Sequence, residues 1–157
     1  MDVNASAIAF AQADPDLSNV AFSVQDARAT TYENDFFDAI IEQSVLACME
    51  KSDREVVITE VRRILKTSGI FSIVEFGISE KLKERYKSDA LVTDEYGTVM
   101  VKNENGSESF RSHHFSSEEV GALINNHGFD IVWSAHPDFI TRSGSKHPGH
   151  QYVAKKI

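Results

Sequence analysis

The chain has 157 residues, 41% of them hydrophobic and 25% charged, with a formal net charge of -8. That length suits one domain with a real core, and the composition excludes disordered and membrane classes. The acidic balance argues against general nucleic-acid binding, which relies on basic surfaces.

Taken in chain order, Asn4 to Ala13 reads as a helix rich in small and apolar residues, stopped by Pro15. Asn19 to Val24 reads as a strand, with Val20, Phe22 and Val24 alternating and Asp26 just beyond its carboxyl end. Thr30 to Asp38 is a polar and aromatic loop. Ala39-Ile40-Ile41 begins a strand–helix–strand unit that runs from Phe37 to Glu75. Such a unit builds a parallel sheet with a right-handed crossover, and ligands sit beyond the carboxyl ends of its strands. The helix of that unit is expected to start on a Ser52–Glu55 capping box and to stop at Gly69. Val57, Val61, Ile64 and Leu65 form its apolar face, which is core and not a ligand box.

After Gly77 a short charged helix is expected over Ser79 to Lys87, then a hairpin around Asn105-Gly106. A second capping box, Ser116 and Glu119, opens a helix that Gly128 stops. Phe129 to Ser134 and Gln151 to Ala154 read as final strands joined by a long loop through Pro137 and Pro148. No apolar run nears the roughly 20 residues of a membrane helix. No basic-then-apolar leader opens the chain. The single Cys48 fits a reducing, cytoplasmic setting and is expected to pack as a small hydrophobe.

The order of these pieces resembles the class I S-adenosylmethionine-dependent methyltransferases. Asp2-Val3-Asn4-Ala5-Ser6 is similar to the acidic end of that family's second strand, and Val24-Gln25-Asp26-Ala27 to the end of its third. Phe37-Asp38-Ala39-Ile40-Ile41 is similar to the entry of its fourth. Arg63 to Gly69 is similar to the turn before its fifth. The resemblance implies an α/β, three-layer Rossmann-like sheet, mostly parallel with an antiparallel carboxyl-terminal hairpin and lacking the first strand. It implies one domain over 1–157, with a partial cofactor core over 1–76 and a substrate side over 77–157. S-adenosylmethionine is the implied cofactor. Asp2, with Val3 beside it, takes the ribose hydroxyls and Asp26 the adenine amino group. Ala27 lies along the adenine, and Glu42, Gln43 and Ser44 meet the methionyl end. Read alone, Asp2 and Asp26 also suit turns or helix caps, Glu42 a solvated strand end, and Asp38 a structural loop residue.

The family's glycine-rich loop is absent, since no glycine precedes Gly69. The resemblance therefore implies an amino-terminally truncated form with impaired cofactor binding. Its first strand would lie between the second and fourth, so its loss leaves backbone edges unpaired. The neighbouring strands closing up, a second chain pairing in, or local unfolding are the alternatives. All six histidines follow Gly77, and several of them, with at most one of His113 and His114, are expected to line a cleft with Tyr96 and Phe115. No catalytic residue is assigned, and the His147 to His150 loop is a weak metal signal without cysteine or carboxylate partners. The reading is methyl transfer to a small-molecule acceptor, with no nucleic acid or membrane partner. The alternatives are a nucleotide-dependent oxidoreductase, or a non-catalytic interaction or pseudoenzyme subunit that forms a homodimer through an exposed sheet edge.

Overall fold

The computed structural model describes residues 1–88, 95–102, 109–140 and 144–157. Strand β1, Phe37–Gln43, leads through a short 3-10 turn at Leu46–Cys48 to helix α2, Lys51–Ile64. Strand β2, Leu65–Phe76, then runs parallel to β1. Val57, Ile58, Val61 and Ile64 are all buried, at the three- and four-residue spacings that make one helical face. Phe71 and Ile73 of β2 close over that face.

Both ends of α2 differ from expectation. The helix begins two residues earlier than the capping box requires, with extended Glu50 ahead of it and no side-chain cap. Ser52 is thus inside the helix. Asp53 in the first turn suits the positive end of the helix dipole. At the other end Leu65 is already extended and fully buried, so β2 starts at once. Gly69 therefore does not stop the helix. It sits in a loop-out between the pairs Phe37↔Leu65 and Ala39↔Ile70. Ser68 takes φ 65° there, and a Cβ on Gly69 would lie 2.7 Å from the Lys66 carbonyl oxygen.

The sheet continues antiparallel in the order β1-β2-β7-β5, with β5 at Phe129–Ala135 and β7 at Lys146–Lys156. A short strand β6, Asp138–Ile140, also pairs with β7, and Pro148 lies inside β7 opposite Asp138 rather than in a loop. A separate antiparallel pair, β3 at Thr98–Lys102 and β4 at Ser109–His113, carries the expected hairpin. Its Asn105-Gly106 turn lies outside the described residues. Helix α3, Glu80–Ser88, precedes it. Helix α4, Ser117–Asn125, opens as expected on Ser116, whose hydroxyl accepts from Glu119 N–H at 3.1 Å. Gly128 takes φ 76° beyond its end.

Helices α2 and α4 cover one face of the sheet, and the core between them joins Phe115, Phe129 and Tyr152 to the α2 stripe. Helix α1, Ala5–Gln12, is capped by Asn4 and buries Ile8, while Phe10 faces solvent. The expected strand from Asn19 to Val24 does not form. Val24 makes one parallel bridge to Asp2, and Val20 and Val24 are exposed. A single bridge leaves too few ladder bonds to hold a strand. Among the described residues no strand pairs with the outer edge of β1.

Candidate active site

The carboxyl end of β1 and the Asp2–Val24 bridge border a cavity of about 230 Å³. Asp2 and Val3 line one wall, Ala27 another, and Ile40 to Glu42 the β1 side, over an apolar floor of Val57, Val61 and Ile64. The chain thus brings together Asp2, Val3, Ala27 and Glu42 from three separate segments. Asp26, Gln43 and Ser44 are not among the lining residues.

Each expected residue has a definite environment. Asp2 accepts from the Asn4 N–H at 2.7 Å with one oxygen. Asp26 is gripped by Arg28, whose Nη2 lies 2.6 Å away and whose backbone N–H adds a further bond. Those bonds hold the Asp26 carboxyl down at about 2. Arg28 also reaches Asp53 at 3.0 Å. Ser44 adopts φ 56° immediately after β1 and donates its N–H to Val74 at 2.9 Å. A non-glycine residue in this left-handed region marks a constrained turn at the ligand-facing edge. Gln43 is exposed.

Glu42 departs from the solvated strand end that its position suggested. It is 6% exposed and faces inward beside Ile73 in register. Its Oε1 accepts from the Val45 and Leu46 N–H groups at 2.6 and 3.2 Å. Its Oε2 is buried without a hydrogen-bond partner. Glu75 stands diagonally across on β2, fully buried, with neither oxygen partnered. Burial first, and then the charge of Glu42, pushes the Glu75 carboxyl up to about 10. Glu75 was missed in the sequence, although Phe71, Ile73 and Glu75 share the inward parity of one strand. Cys48 is exposed rather than packed. Burial of part of its surface, with Glu75 and Glu42 near, raises its thiol above the ordinary value.

A second buried polar cluster lies next to the 3-10 turn. Arg54, 2% exposed, donates to Leu46 O, Met49 O and the Glu95 carboxylate, the last at 2.7 Å. His113, also buried, bonds Thr98 Oγ1 through Nδ1 at 2.7 Å and Glu119 through Nε2 at 3.0 Å. Arg111 adds a contact to Glu95 at 3.2 Å. Burial would raise the Glu95 carboxyl, but the hydrogen bonds from Arg54 and Thr98 outweigh it and lower it. Glu95, His113 and Glu119 place ligand atoms within 4.8 Å of one another. Two arginines already balance those carboxylates, so the cluster reads as a structural network.

The histidines do not line one cleft with Tyr96 and Phe115. Phe115 is core, and Tyr96 is exposed. His127 turns to the Leu123 carbonyl. His113 is buried in the Arg54 cluster, and His114, just past the end of β4, turns to other partners. His114 contacts Gly77 O, and both His114 and His147 lie against Phe76. His150 Nε2 faces the Phe115 carbonyl at 3.0 Å and therefore carries the hydrogen. Its Nδ1 then accepts from His136 Nδ1 at 2.9 Å. Thus His150 pairs with His136, not with His147.

A mixed α/β sheet with inward carboxylates at the carboxyl ends of parallel strands defines a Rossmann-like ligand-binding domain. The sequence matches the methyltransferase domain family over residues 1–134, and the chain belongs to that family. A solved S-adenosylmethionine-dependent methyltransferase from Methanosarcina mazei is 28% identical, with a TM-score of 0.87 over 99% of this chain and 80% of that one. A Pyrococcus horikoshii protein is 24% identical, with a TM-score of 0.76 over 99% and 69%. The Burkholderia thailandensis 1,6-didemethyltoxoflavin-N1-methyltransferase, solved with bound 1,6-didemethyltoxoflavin and S-adenosylhomocysteine, is 16% identical with a TM-score of 0.63 over 91% and 55%. No curated protein sequence matches the chain. The class I fold and S-adenosylmethionine as the family's cofactor, both expected from the residues, stand with these likenesses. No helix among the described residues is long and apolar enough to cross a membrane.

Proposed function

We propose that this chain serves S-adenosylmethionine-dependent methyl transfer to a small-molecule acceptor, in a cytoplasmic setting and without a nucleic-acid or membrane partner. The observation that carries the reading is the convergence of Asp2, Val3, Ala27 and Glu42 on one cavity beside the parallel strands. Asp2 has a carboxylate oxygen left for a ribose hydroxyl, and Ala27 offers an apolar wall to a base. The buried Glu42 carboxylate, which lines the cavity, suits the cationic end of the cofactor. Gln43 and Ser44 flank that end, and Asp26 reaches the adenine only by releasing Arg28. Bound cofactor would supply an electrophilic methyl, which an acceptor lone pair takes as the carbon–sulfur bond breaks. The protein need only align the two. The first 76 residues form the cofactor side, and the histidines around Phe76 border the acceptor side.

This chain alone binds the cofactor weakly. The edge of β1 is unpaired among the described residues, and the Asp2 segment is tied by one bridge. Nuclear magnetic resonance with S-adenosylhomocysteine at millimolar concentration should shift the Asp2, Ala27 and Glu42 signals. Shifts that avoid all three overturn the site, and micromolar affinity overturns the weak-binding part.

The exposed edge of β1, with Ile41 77% exposed, favours one second reading: a non-catalytic subunit that forms a homodimer by edge pairing. A concentration-independent dimer on size-exclusion chromatography would support it. A monomer would exclude it.

A further inference from the structure

Glu42 and Glu75 are an unusual pair for a domain core. Two carboxyl groups lie on one face of neighbouring parallel strands, both buried, with three of their four oxygens lacking any hydrogen-bond partner. Two adjacent buried carboxylates resist ionising together, because burial strips both of solvent and their like charges repel. The facing charged and titratable groups relieve this only in part, the Arg54 charge favouring ionised Glu75 without bonding it. Arg54 from α2 spends its donors on Leu46, Met49 and Glu95. Cys48 from the 3-10 turn stands near both carboxyls but has no charge to offer them. His150, opposite Glu75 on β7, is committed to Phe115 and His136.

The asymmetry between the two groups says where the proton goes. Glu42 Oε1 receives two backbone N–H groups, which favour its carboxylate. Glu75 receives none within hydrogen-bond geometry and is the natural acid. We infer that Glu75 keeps its proton at neutral pH and donates it to Glu42 Oε2, so that the pair meets the cavity as one fixed negative charge. Glu75 is then a positioning residue acting through Glu42. Resting on the cofactor reading, the pair becomes the counter-charge that prefers the cationic sulfonium cofactor over its neutral thioether product.

The test has two arms. In the unliganded chain, carbon-13 labelled glutamate carboxyls are titrated between pH 4 and pH 10.5. Glu75 should remain protonated through neutrality, and Glu42 should shift again as Glu75 ionises. In Glu75→Gln, which keeps a donor but has no proton to lose, the alkaline step of Glu42 should vanish. Should that variant not fold, Glu42→Gln is the second variant, and Glu75 should then titrate at lower pH. Ordinary titration of both groups in the wild type overturns the inference, as does an alkaline step of Glu42 that survives Glu75→Gln. In the second arm, Glu42→Gln should weaken S-adenosylmethionine about tenfold or more and S-adenosylhomocysteine much less, a difference of about 1.4 kcal/mol. Equal weakening overturns the counter-charge role. If neither compound binds the wild type while the alkaline step is present, the cofactor reading fails and the proton-holding pair stands.

Discussion

Two buried polar clusters meet at the Leu46 turn, whose N–H serves Glu42 and whose carbonyl serves Arg54, and are built on opposite terms. Around Arg54, every charge is matched: Glu95, Glu119, Arg111 and His113 exchange hydrogen bonds or ion pairs, and Arg54 also serves two backbone carbonyls. Around Glu75, two like groups face each other and three oxygens go unmatched. The first cluster ties the β3–β4 hairpin and α4 to α2. The second costs stability and faces a cavity. A fully satisfied network is what a fold keeps for its own sake, whereas an unsatisfied one at the carboxyl edge of a parallel sheet points to a ligand.

Breaking the matched cluster should have the largest effect. Arg54→Ala leaves Glu95 and Glu119 without their buried cation, and should lower unfolding free energy by about 3–5 kcal/mol in urea titration. A loss under about 1 kcal/mol would place Arg54 among ordinary surface ion pairs instead. The unmatched cluster should respond with the opposite sign. Glu75→Gln should stabilise the protein by about 1–3 kcal/mol at pH 6, because it removes an acid that resists ionisation.

The pH dependence sharpens the contrast. The folded Glu75 carboxyl ionises at about 10 against an ordinary value of 4.5, so the folded state holds its proton more tightly. Its contribution is full at pH below 4.5 and is lost as pH rises toward 10. Between those limits the wild type should lose about 1.4 kcal/mol per pH unit from this group, and Glu75→Gln should flatten that slope. Thermal unfolding at several pH values reads it directly.

Smaller effects mark the edges of the comparison. Ser116→Ala removes the cap of α4, the helix that delivers Glu119 to the matched cluster, and should cost about 1 kcal/mol in denaturant unfolding. Asp38→Asn breaks only the exposed pair with Lys66 at 2.7 Å, and should change stability by less than about 0.5 kcal/mol. A larger change there would mean that the loop before β1 bears more of the fold than its exposure suggests.

Several features were readable without coordinates. The Val57, Val61, Ile64 stripe, the Ser116 cap and the φ 76° stop at Gly128 follow from local rules of periodicity and backbone freedom. The boundaries of α2 were not readable. Leu65 was equally suited to continue the helix or to begin a strand, and burial against the core decided for the strand. The Val20 to Val24 alternation was real, but a strand needs a neighbour, and one bridge to Asp2 does not supply it.

The site divides along the same line. By itself the sequence determined the β1–α2–β2 unit, the family resemblance and the acidic residues at the strand ends, because these depend on near neighbours in the chain. Only the tertiary structure decided that Asp26 would be held by Arg28, that Glu42 would turn inward, and that Glu75 would stand beside it without a partner. Ionisation of a carboxyl depends on what surrounds it in space. Residues 42 and 75 are far apart in sequence and become neighbours only when β1 and β2 pair in parallel.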